Sequence, residues 1–138
     1  MGGHVIARLP GWEARLSVHV VAHMRAPFRW GKTDCAMFAA GAVEALSGVD
    51  LARGLRGYRS EAEGMKRAQV KGFADHEAVF AAALRPVEVT MLALGDIVVV
   101  EEAGRPVMAV WGGSFIHAMT PHGLEPLPNE RARRGYAV

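Results

Sequence analysis

Gly95-Asp96-Ile97-Val98-Val99-Val100, a turn at Glu101 to Gly104, and then Val107-Met108-Ala109-Val110-Trp111 is the passage from which the architecture is read. The valine run predicts a strand, the second apolar run its return, and Gly112-Gly113 a tight hairpin turn. Further along, Phe115-Ile116-His117-Ala118 predicts the next strand and Gly123-Leu124-Glu125-Pro126-Leu127 another. Asn129 to Arg133 predicts one helical turn, and Gly135-Tyr136-Ala137-Val138 a closing edge strand. In the other direction the character changes. From Trp12 to Leu84 apolar residues recur at helical spacing; from Val87 onward they come in short runs cut by Gly and Pro. Helices first and then an antiparallel meander of about five strands make an α+β domain, not an alternating doubly wound one.

Four helices are expected in the first half. The first runs from about Trp12 to Met24, with Trp12, Leu16, Val20 and Met24 on one face, and Pro27 stops it. The second, from Asp34 or Cys35 to Leu46, is rich in Ala and has Gly48 placed to cap its end. Small residues on several faces let it lie close to its neighbours. The third opens on the capping box Ser60-x-x-Glu63 and ends near Gly72; the fourth covers about Asp75 to Leu84.

The 138 residues fit one domain, 1–138, without repeats or linkers, and 51% apolar content gives it a real core. Sixteen Lys+Arg against 14 Asp+Glu leave a charge of only +2. Aromatics at 7% do not interleave with a basic stripe, so nucleic acid is not an expected partner. No apolar run approaches the ~20 residues that span a bilayer, and no membrane insertion is expected. The first residues lack the charged-then-apolar order of a secretory signal, so synthesis in the cytoplasm is expected. A single cysteine, Cys35, excludes an intrachain disulfide and a four-cysteine zinc site. No metal or cofactor is expected.

Trp30-Gly31-Lys32-Thr33-Asp34-Cys35-Ala36-Met37-Phe38 carries the chemistry. It puts the thiol in the first turn of a helix, directly after an Asp competent to cap it. Unpaired amides and the positive end of the helix dipole there favour thiolate over thiol, and predict a pKa well below ~8.5. The same amides suit an acyl oxyanion. The competing reading is that Cys35 is a small buried hydrophobe. A cysteine nucleophile needs a base, and histidine is the natural one. His4 lies in the N-terminal tail; His19 and His23, at i and i+4, read as two partly exposed helix residues rather than a metal pair. His76 reads as solvated at a helix start and His122 as a turn residue. His117, on a strand, reads as either an active-site wall or a core histidine. Asp96 reads as a turn or cap residue. Trp30, Tyr58 and Trp111 read as either groove walls or core.

Taken together, Gly31-x-x-Asp34-Cys35-Ala36-x-Phe38, Gly95-Asp96-Ile97-Val98-Val99 and Phe115-Ile116-His117-Ala118 resemble the NlpC-type papain-like cell-wall cysteine peptidases. The likeness is closest to the small branch encoded beside tail genes of phages and gene-transfer-agent-like particles, and spans roughly Phe28 to Val138. The resemblance implies a papain-like fold with Cys35 as nucleophile and His117 as orienting residue. Trp30, Asp34 and Trp111 are expected on the substrate side, and the resemblance implies the peptide stem of peptidoglycan as substrate. The histidine that serves as base in that family falls on Val107, and a valine cannot take a proton. Either His117 serves as base in a dyad, or the fold is kept and the reaction lost.

Two functions follow from the resemblance. One is a virion-borne peptidoglycan peptidase acting at a phage-like tail tip during envelope penetration. The other is a catalytically inactive docking module of a tail hub or baseplate. A third reading is a papain-like amidase or acyltransferase on a small cytoplasmic substrate.

Overall fold

The computed structural model describes residues 6–138, and His4 lies outside them. Four helices, α1 (Trp12–His23), α2 (Cys35–Ser47), α3 (Glu61–Val70) and α4 (His76–Ala83), precede the sheet. The strands are β1 (Arg85–Val87), β2 (Ile97–Glu102), β3 (Arg105–Trp111), β4 (Ile116–Thr120), β5 (Gly123–Leu127) and β6 (Arg134–Ala137). The class is α+β, as expected. No helix among the described residues is long and apolar enough to cross a membrane.

The sheet has six antiparallel strands in the order β1-β6-β2-β3-β4-β5. Two expectations are corrected here. β2 to β5 form the meander, but β6 returns to pair with β2 on one side and β1 on the other, so it is interior and not an edge. The extra strand, Arg85-Pro86-Val87, is only three residues long and contains a proline, which an edge strand tolerates.

Ile97 to Val100 are completely buried because both faces of β2 are covered. Ile97 and Val99 join Met108, Val110 and Met119 against α1, α2 and α4. Val98, Val100, Ala109, Ile116 and Ala118 form a second cluster on the far face, under Val89, Leu92 and Ala132. Ala103 and Gly104, both at positive φ (52° and 78°), make the two-residue turn between β2 and β3.

α2 carries the core. Phe38, Ala39, Ala42, Val43 and Leu46 are fully buried, and the alanines let it lie close to the sheet. Gly48, at φ 79°, ends it as read. α1 packs on α2 through Leu16, Trp12 and Val20, whereas Met24, expected on the same face, follows the end of the helix and is 63% exposed. Gly41 is what allows the approach: a Cβ there would lie 2.4 Å from His19 Cε1. Asp96 is 4% exposed and does more than cap a turn. It accepts from Arg8 Nη2 (2.9 Å), the Ala93 amide (2.9 Å) and the Val138 amide (3.0 Å), joining Arg8 and Val138 to the start of β2.

Candidate active site: a groove over Cys35

Cys35 is the first residue of α2, and Asp34 caps the helix by accepting from the Met37 amide at 2.9 Å. The Asp34 carboxylate, 1% exposed, also accepts from the Gly31 amide (2.7 Å) and from the Tyr58 hydroxyl (2.5 Å). Burial, together with the Asp34 charge, pushes the Tyr58 phenol far above its usual range, so it remains a donor. Gly31 is required here. Its φ is 71°, and a Cβ would lie 2.4 Å from the Tyr58 carbonyl oxygen. The Gly57 amide donates to the Gly31 carbonyl at 3.0 Å, which brings the segment carrying Tyr58 against the loop.

Beside this buried knot lies a groove of about 990 Å³. Cys35, Tyr58, Met108 and Met119 lie along its floor; Trp30 and the turn residues Ala103 and His122 also line it. Trp30 packs edge-on against Phe28, with ring centroids 4.8 Å apart, and remains 38% exposed. Cys35 itself is partly buried.

The electrostatics of the thiol run opposite to the sequence expectation. Burial, and then the Asp34 carboxylate beside it, push the Cys35 thiol up to about 12. Backbone amides of Met108, Ala36 and Cys35 favour the thiolate, but more weakly. The capping residue that exposes the helix amides to the sulfur thus brings a negative charge with it. No imidazole is hydrogen-bonded to the sulfur among the described residues, and none contributes to its shift.

His117 does not line the groove. It sits opposite Val110 on β3, two residues along the strand from Met108, which corresponds to roughly 7 Å of strand rise. Its ring packs against Phe115, centroids 4.9 Å apart, and over Gly112, where a Cβ would come within 2.9 Å of Nε2. Burial lowers its pKa. Val107 borders the groove, but its side chain packs with the cluster on the far face of the sheet. Trp111 belongs to that far face as well. The structure therefore brings Trp30, Asp34 and Cys35 together and leaves His117 and Trp111 outside.

The remaining histidines are distributed unexpectedly. His76 is not a solvated residue: its ring stacks on Tyr58 (centroids 5.7 Å, 26°) at the groove, and Nε2 is buried without a partner among the described residues. Its place beside Asp75, the cap of α4, is visible in the sequence; its packing on Tyr58 is not. His19 and His23 pack together at 4.4 Å, with His19 also stacked on Phe38 and hydrogen-bonded from Nε2 to the Phe38 carbonyl at 2.8 Å. Burial lowers His19 to about 4. Among the described residues no group of three or more His, Cys, Asp or Glu is arranged to hold a metal ion.

The chain belongs to the family described as a domain of unknown function (DUF6950), which it matches over residues 7–138. No curated protein matches it.

Proposed function

We propose that the chain is a docking module on a papain-like scaffold, carried in the tail tip of a phage-like particle, which holds an extended peptide in the Cys35 groove without cleaving it. The particle and the scaffold rest on the sequence resemblance. Binding is supported by the groove, which is large enough for several residues of extended chain and is floored by apolar side chains. One observation carries the absence of turnover: the capping Asp34 carboxylate lies beside the sulfur and, among the described residues, no imidazole is hydrogen-bonded to it to take its proton. Losing a general base costs about 10²–10⁴ in rate, and more where it also generates the nucleophile.

The test is peptide release from purified peptidoglycan by the wild-type chain and by Cys35→Ala. Equal, background-level release from both is expected. Release by wild type that Cys35→Ala abolishes overturns the reading. One observation favours that hydrolytic alternative: the unpartnered Nε2 of His76 on the same groove. In that case His76→Ala abolishes release too, whereas His117→Ala does not.

A further inference from the structure

The groove and the rest of the chain have opposite charge. Asp34, Glu61, Asp75, Glu77, Glu102 and Glu125 line it against only Arg105 and Arg131, an excess of four negative charges among the lining residues, which the pairing of Glu77 with Arg134 from outside reduces to three. The whole chain is +2, so the residues outside the groove carry six positive charges in excess. Neither groove arginine is free for an anion, since Arg105 pairs with Glu61 and Arg131 with Glu102. Glu125 is different: its described partner is the Thr120 hydroxyl at 2.5 Å, which leaves its charge uncompensated. Asp75 caps α4 through the Ala78 amide and has no ion pair among the described residues.

The groove also has an apolar lining. Trp30, Phe28, Met65, Met108 and Met119 line it, and Trp30 keeps more than a third of its surface open to solvent. Methionines adapt to varied side chains. A long aliphatic stem ending in a cation matches both features, with the stem along the floor and the charge at the carboxylates or over the indole face. Carboxylate-bearing or phosphorylated ligands meet net repulsion instead.

We propose that the occupant of the groove is an extended polypeptide segment bearing Lys or Arg side chains. This rests on the groove-binding reading above and deepens it by giving the occupant a charge. The ion pairs at Arg105 and Arg131 and the uncompensated Glu125 together set that preference.

Fluorescence anisotropy with labelled ten-residue peptides of alternating Gly with Lys, Ser or Glu tests it on the full chain at low ionic strength. The Lys peptide is expected to bind at least tenfold more tightly than the Ser peptide, and the Glu peptide not at all. Raising salt to 0.5 M is expected to remove most of the difference, because the attraction is screened. Glu102→Gln with Glu125→Gln, both at partly or fully exposed positions, is expected to weaken Lys-peptide binding at least fivefold while circular dichroism stays unchanged. Equal binding of Ser and Lys peptides overturns the charge preference and leaves the groove reading standing. Tighter binding of a soluble peptidoglycan stem peptide than of the Lys peptide also overturns it. Binding of no peptide overturns both, and Lys-peptide binding that ignores the double substitution overturns the assignment to this groove.

Discussion

Replacing Asp34 by alanine removes the acceptor of three hydrogen bonds at once: from the Met37 amide, the Gly31 amide and the Tyr58 hydroxyl. Loss of the helix cap costs about 1 kcal/mol. The Gly31 and Tyr58 donors are then left in a site that is 1% exposed, at about 1–3 kcal/mol each where no water replaces the acceptor. Partial relaxation brings the expected total to about 3–5 kcal/mol, a large part of a stability of ~5–15 kcal/mol. Asp34→Asn is milder, about 1–2 kcal/mol, because its carbonyl still caps Met37 while its amide faces the Gly31 N–H. With a urea slope of about 2 kcal/mol/M, Asp34→Ala lowers the unfolding midpoint by about 1.5–2.5 M. Equilibrium urea unfolding followed by Trp fluorescence measures it. An Asp34→Ala midpoint within about 0.3 M of wild type refutes the claim that this carboxylate ties the loop, α2 and Tyr58 together.

Gly41→Ala forces the His19 ring off Phe38, and is expected to cost about 1–3 kcal/mol despite the better helix propensity of alanine; calorimetry checks this, and His19→Ala in the same chain recovers most of the loss. His19 has a folded pKa of about 4 against 6.5 unfolded, so its contribution is full above pH 6.5 and is lost as pH falls toward 4. The ceiling is about 3 kcal/mol, and solvent reaching the ring reduces it to about 1–2 kcal/mol, so urea midpoints at pH 7.5 and 4.5 are expected to diverge more for wild type than for His19→Gln. Glu77 accepts from Arg134 (2.7 and 2.9 Å) and from the Tyr136 hydroxyl (2.7 Å), so Glu77→Ala is expected to raise hydrogen exchange in α4 while sparing β3.

The parts of the fold legible in the sequence are those set by local physics. The Ser60 and Asp34 caps, the Gly48 stop and the apolar run of β2 each act within a few residues and are seen as read. β1 was not legible because three residues with a proline carry no periodicity, and the interior place of β6 depends on a pairing about 50 residues away in sequence. At the site, Cys35 at a helix start was legible from Asp34 alone. That the same Asp34 would work against the thiolate was not, since it depends on how little water reaches the sulfur. His76 gave only its position at a helix start; the stacking on Tyr58 that brings it to the groove comes from the packing of α4.

The rate of Cys35 alkylation by iodoacetamide between pH 5 and 11 is the most direct measurement of the state of the sulfur. The rate is expected to keep rising through pH 10 without a plateau, and to be higher at each pH in Asp34→Asn, which lacks the neighbouring charge. A wild-type profile that levels off with a midpoint below about 8.5 would mean a primed nucleophile, and would contradict the proposal that the groove holds a peptide without cutting it.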